Sequence, residues 1–243
     1  MIPADHPRYR SLALREHLAR CAREGIVALE GLTAHGRGEA FDYLFGEETS
    51  PAALRAERIA AALLLSAEHP VISVNGNTAA LAAGLLGGLQ EASGAAVEVN
   101  LFHRTTERME KITRLLEDHG VRVLGGEPER LLPLSHDRAL CLQAGIGSAD
   151  VVLVPLEDGD RCQALCSMGK TVIAIDLNPL SRTARSADLT IVDELTRAIP
   201  AITRFCREID RDEMQALSKG FDNRELLAEA VRDIIRRLEH ALD

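Results

Sequence analysis

The chain has 243 residues, 46% of them apolar, with a net charge of −9 and a pI near 5.4. That is enough chain to bury a sizeable core without disulfides or a structural metal, and no run of about 18 apolar residues marks a membrane span. So acidic a chain needs a local basic patch to hold duplex nucleic acid, and no such run is present, which argues against a nucleic-acid partner.

The first residues, Met1 to Pro7, lack a basic stretch leading into an apolar one, so no secretory leader is expected and a cytoplasmic location follows. Asp5-His6-Pro7 then opens a helix whose apolar spacing runs through Leu12, Leu14, Leu18 and Cys21 to about residue 24. Residues 25–50 read as a glycine-rich, charge-punctuated segment. Ser50-Pro51 caps and starts a second long helix, to about residue 68.

From there short apolar runs alternate with helical patterns. Strands are predicted at 71–74, 97–101, 121–124, 151–154, 171–175 and 189–192. Helices are predicted at about 78–91, 104–119, 137–144 and 159–168, with two more closing the chain at about 195–209 and 223–241. Strands alternating with helices imply right-handed crossovers and a doubly wound parallel sheet. The expected architecture is therefore α/β and Rossmann-like, with about six parallel strands. It reads as a single domain with an N-terminal helical lobe (1–69), a sheet core (70–194) and C-terminal helices (195–243).

The five cysteines, Cys21, Cys141, Cys162, Cys166 and Cys206, are odd in number and mostly scattered. They read as packed thiols, neither a disulfide framework nor a zinc set. Only three of the 28 basic residues are lysine. The arginine excess fits genomic codon bias, and arginine also suits bidentate phosphate contacts.

Ligands of open parallel sheets bind beyond the carboxyl ends of the strands, and here those ends are polar. Asn75-Gly76-Asn77 follows the first strand and offers free N–H groups at a helix start. Arg104-Thr105 follows the second, and Arg182-Thr183 follows the fifth; each pairs a guanidinium with a hydroxyl. Glu157, Asp158 and Asp160 crowd the turn after the fourth, where they suit an ammonium group or Mg²⁺. The predicted substrate contacts are accordingly Asn75, Asn77, Arg104, Thr105, Glu157 and Asp160.

The stretch Gly31 to Gly38 has the glycine spacing of a phosphate loop, but Arg37 and Gly38 replace its Lys and hydroxyl, so it is no Walker loop. It reads instead as an anion-binding nest with Arg37 as a charge clamp. Gly145-Ile146-Gly147 precedes a strand and is no dinucleotide fingerprint. His35 is a candidate proton carrier. No Gly-x-Ser-x-Gly elbow is present. On these residues alone a ligase, a kinase or other phosphotransferase, and a non-catalytic sensor of a phosphorylated metabolite all stay open.

Several strings carry a family resemblance: GLTAHGRGEAFDYLFG at 31–46, PVISVNGN at 70–77, VEVNLFHRT at 97–105, DVVLVPLEDGDR at 150–161 and VIAIDLNPLSRT at 172–183. In these the chain resembles the archaeal phosphopantothenate synthetases, or 4-phosphopantoate–β-alanine ligases, as far as about residue 203. The resemblance implies a cytoplasmic homodimer that joins 4-phosphopantoate to β-alanine with ATP and Mg²⁺, through an acyl adenylate, giving 4′-phosphopantothenate, AMP and pyrophosphate. It implies nucleotide contacts at Arg15, Arg37, Asp176, Leu177, Asn178, Arg182, Thr183, Asp193 and Glu194. Glu194 departs from the family's usual Asp-Asn pair at that point. His35, Arg37 and Asp158 are then the expected catalytic groups.

Overall fold

The strand pattern is realised in the computed structural model, which describes residues 2–3 and 5–242, as five parallel strands in place of six. Three helices come first: α1 (Tyr9–Arg23), α2 (Leu29–Leu44) and α3 (Pro51–Ser66). They are followed by β1 (Pro70–Val74), α4 (Gly76–Ser93), β2 (Ala96–Val99) and α5 (Thr106–Asp118). Next come a two-residue hairpin, β3 (Glu129–Arg130) with β4 (Leu140–Cys141), and then β5 (Val151–Pro155), α6 (Gly159–Ser167), β6 (Thr171–Ile175), α7 (Arg182–Ser186) and β7 (Leu189–Ile191). Helices α8 (Leu195–Glu208), α9 (Arg211–Leu217) and α10 (Asn223–Glu239) finish the chain.

The large sheet runs β2-β1-β5-β6-β7. Its strands are near-continuous apolar runs because both faces are covered. Ile72, Leu153 and Ile173 pack with Leu64, Leu86 and Ile202 from α3, α4 and α8. The alternate residues Val71, Val152 and Val172 pack on the other side with Leu165 of α6 and Ile146. The strand order reverses between β1 and β5, which places a crevice outside their carboxyl ends.

Three sequence expectations are corrected. Residues 121–124 do not form a strand: Val123 makes one isolated bridge to Val97, at the outer edge of the sheet beside β2. The predicted helix at 137–144 is a short 3₁₀ turn (Asp137–Ala139), the strand β4 and a wide turn (Gln143–Gly147). Its polar backbone is satisfied from far away in sequence, since buried Glu98 of β2 accepts the N–H groups of Leu142 and Ile146 at 3.1 and 2.8 Å. The third correction bears on function. The segment 31–38 is no loop or nest, because it lies within α2, where most backbone N–H groups are spent on the helix.

Candidate active site

Each strand end facing the crevice is fixed by a cap. Asn75 caps α4, its Oδ1 accepting from the N–H of Thr78 at 3.0 Å. Asp158 caps α6 through the N–H of Arg161 at 2.8 Å, and Ser181 caps α7 through that of Ala184 at 2.9 Å. With these positions taken, the N–H groups of Gly76, Asn77 and Gly159 remain as first-turn donors without a hydrogen-bond partner among the described residues. They border a cleft of about 720 Å³ whose far wall is α2.

The cleft brings together most of the residues picked out by sequence. His35, Arg37, Asn75, Asn77, Glu157, Asp158, Asp176, Leu177, Asn178, Arg182, Thr183 and Glu194 all line it. Arg37 is exposed and has no hydrogen-bond or ion-pair partner among the described residues, and its charge reaches Asp176. Burial pushes the His35 imidazole below its ordinary pKa of 6.5, with Glu39, Arg15 and Asp42 contributing less. It is therefore neutral at pH 7. Burial also raises Asp176, although Ser181 Oγ (2.5 Å) and the N–H of Asn178 (2.9 Å) bond to its carboxylate.

The other expected residues stand outside the lining. Arg15 donates to Glu39 at 2.7 Å, and Glu39 itself lines the cleft. Arg104 bonds Asp137 through its backbone N–H, and Thr105 caps α5. Asp160 takes the Arg182 guanidinium at 2.7 Å. Asp193 is buried beneath the cleft with Thr49 Oγ1 and Arg197 as donors. Glu194, which does line the cleft, turns its carboxylate away to the N–H of Thr196, capping α8, and burial raises its pKa.

The carboxylates at 157–160 are therefore no open cage. Glu157 meets the guanidiniums of Arg138 and Arg161, and Asp158 takes Arg138 at 2.9 Å. Burial opposes the Asp158 charge, but Arg138 and the helix N–H outweigh it and hold the carboxyl below the usual range. Arg161 is fully buried, donating also to Ser73 at 2.9 Å. Burial and then the neighbouring charge of Arg161 lower Arg138 to about 10, so it is still cationic at neutral pH. Among the described residues no group of three or more His, Cys, Asp or Glu side chains is arranged to hold a metal ion.

Sequence reasoning missed Arg138 and Arg108, both in the lining. Arg108 bonds the carbonyl of Ile26 with Nε and Nη2, each at 3.1 Å, and that of His103 with Nη1. It thus ties the approach to α2 to the sheet rim. Neither residue follows a sheet strand directly, so the strand-end rule could not find them. The signal available for Arg161 was its place in the string EDGDR, one helical turn after Glu157.

Fold and cleft define the class: a doubly wound parallel α/β protein with a polar, arginine-bearing pocket at the point of strand reversal, suited to anionic small molecules. Residues 52–237 match the phosphopantothenate/pantothenate synthetase family, and the chain belongs to it. It is 61% identical over the whole length of both chains to the 4-phosphopantoate–β-alanine ligase of Methanospirillum hungatei. It is 52% identical to the ligase of that name from Methanosarcina mazei, over 98% of this chain and 96% of the relative. The Thermococcus kodakarensis ligase is 49% identical, over 98% and 94% respectively.

Proposed function

We propose that this protein condenses 4-phosphopantoate with β-alanine at the expense of ATP, releasing 4′-phosphopantothenate, AMP and pyrophosphate. The observation that carries this reading is the end-to-end identity with the Methanospirillum ligase in a chain whose cleft gathers the expected residues from both halves. A carboxylate oxygen is a poor leaving group, so amide synthesis requires activation. The 4-phosphopantoate carboxylate attacks the α-phosphorus of ATP, pyrophosphate departs, and the amine of β-alanine displaces AMP from the acyl adenylate.

The nucleotide is assigned to the β6 side, against Asp176 to Asn178 and the start of α7. Arg37, with no hydrogen bond or ion pair among the described residues, is assigned to the charge that builds on the phosphates during adenylation. Arg15, fixed on Glu39, supports α2 at the same end. The first-turn N–H groups of α4 and the guanidinium of Arg108 suit the phosphate of 4-phosphopantoate. Neutral His35 suits removal of a proton from the attacking amine. Asp158 positions Arg138 in this scheme, and Asp160 positions Arg182.

Magnesium enters as the ion carried by ATP. The carboxylates at 157–160 are engaged with arginines, and Mg²⁺ is ordinarily held by one or two carboxylates together with substrate phosphates. We further infer a cytoplasmic homodimer, which sedimentation of the purified protein tests for its oligomeric part. The reaction itself is tested by incubating the protein with ATP, Mg²⁺, β-alanine and 4-phosphopantoate and resolving the nucleotides. AMP and pyrophosphate, formed only with 4-phosphopantoate present, are expected. ADP with phosphate would overturn the adenylate route.

A further inference from the structure

We propose that Asn75 is a positioning residue whose amide holds Leu156 in a left-handed backbone conformation and thereby sets the direction of the Glu157–Asp158 turn. The inference rests on the reaction proposed above and concerns how its site is assembled. Leu156 follows β5 and has φ of 53°. A non-glycine residue rarely adopts that region, and leucine has no polar side-chain atom to stabilise it locally. Something outside the residue must hold it there.

The carbonyls around it supply the answer. Asn75 Nδ2 donates to the carbonyls of Pro155 and Leu156, each at 3.0 Å. Thr78 Oγ1 donates to Pro155 at 3.2 Å, and Thr183 Oγ1 to Glu157 at 2.8 Å. Three consecutive carbonyls thus accept side-chain donors. Of these side-chain donors Asn75 is the one that reaches Leu156, whose own N–H donates to the carbonyl of Ile175 at 3.0 Å. Asn75 Oδ1 accepts in turn from the N–H of Thr78 at 3.0 Å. One amide therefore fastens the end of β1, the start of α4 and the exit of β5 at the point where the strand order reverses.

Beyond Leu156 the chain turns so that Glu157 and Asp158 meet Arg138 at the cleft wall. If Leu156 relaxed to the usual negative φ, both carboxylates and the first turn of α6 would be re-aimed. Asn75 thus acts through the turn and makes no direct contact with substrate in this scheme.

The test is a double-mutant cycle of Asn75→Ser and Leu156→Gly, with AMP release, calorimetric ATP affinity and melting measured on the full chain. Serine keeps an oxygen for the N–H of Thr78 and loses both donors to the carbonyls. With Leu156 in place, Asn75→Ser should lower kcat about 30-fold, in the range that small misplacements cost. In the Leu156→Gly background it should lower kcat less than about fivefold, because glycine adopts positive φ unaided. ATP affinity should stay within about threefold throughout, since the nucleotide is assigned to β6. An equal loss in both backgrounds overturns the proposal.

Should Asn75→Ser fail to fold, Leu156→Val decides the matter. Valine keeps an apolar side chain but disfavours positive φ, so kcat should fall at unchanged ATP affinity; an unchanged kcat overturns the clamp. A wild-type chain that makes no AMP would overturn the reaction and leave the clamp to crystallography. A Leu156 still at positive φ in crystals of Asn75→Ser would then overturn it.

Discussion

Glu57 and Asp193 set two carboxyl groups close together beneath the floor of the cleft, and Glu57 holds its proton into the alkaline range. Glu57 is fully buried, and among the described residues neither of its oxygens has a hydrogen-bond partner of good geometry. Burial first, and then the charge of Asp193, raise its pKa from an ordinary 4.5 to about 9. Asp193 is neutralised instead by Arg197, which also grips Asp42 at the cleft wall at 2.5 Å. The folded state therefore binds a proton at Glu57 that the unfolded chain gives up above 4.5. Its contribution to stability is complete below pH 4.5 and is lost as pH rises towards 9. Glu57→Gln should remove this dependence, so that melting temperatures of variant and wild type diverge in favour of the variant as pH rises. Parallel curves from pH 5 to 9 would show that Glu57 is ionised in the fold.

Arg37 has no hydrogen bond or ion pair to lose among the described residues, only a through-space attraction to Asp176, and that makes its role separable from stability. Arg37→Ala should lower kcat/KM about 100-fold, the scale set by loss of one preorganised charge donor. Its melting temperature should stay within about 2 °C, as for a surface substitution that breaks no contact. Arg37→Lys should recover only part of the loss, because an ammonium cannot make the same paired contacts to phosphate. Steady-state kinetics with ATP as the varied substrate decide it, and unchanged constants would remove Arg37 from the reaction.

Partial burial holds the His35 imidazole below its ordinary 6.5. If it accepts the amine proton, its neutral form is the active one. The rate should then hold level from neutral pH down through 6.5 and fall only beneath it. His35→Gln should lower kcat about 100-fold and abolish that acid limb. A limb that persists in the variant belongs to another titratable group of the lining, such as Asp176 or Glu194, whose pKa values burial raises.

Helix α2 shows where sequence reading reached its limit. Local preference argued for a loop at 31–38, since three glycines oppose a helix. The structure explains one of them by close approach: a Cβ at Gly31 would sit 2.2 Å from Asn77 Oδ1. What looked like loop composition reflects a helix pressed against the start of α4. Strands β1, β5, β6 and β7 were legible because burial on both faces leaves near-continuous apolar runs, broken by buried Ser73 and Thr190, and their polar ends led to most of the cleft. The route from α5 to β5 was not legible, because its turns are held by the Glu98 carboxylate, more than forty residues earlier. Arg138, delivered by that route, stayed hidden with it.

Gly76 tests the phosphate subsite from the backbone side. A Cβ there would lie 2.4 Å from the carbonyl oxygen of Ile26 and 2.6 Å from Arg108 Nη2. The first contact is with backbone and cannot rotate away. The second is with the guanidinium that bonds Ile26 and lines the cleft. Gly76→Ala should therefore push the approach to α2 off the rim and displace Arg108 together with the first N–H of α4. Overpacking of this kind costs about 1–3 kcal/mol, so the variant should fold with a lowered melting temperature. Its KM for 4-phosphopantoate should rise about tenfold or more, the scale of one charge-assisted contact, while that for ATP moves less. An equal rise in both constants would mean that the lobe has shifted as a whole, and that the N–H groups of α4 do not hold the substrate phosphate.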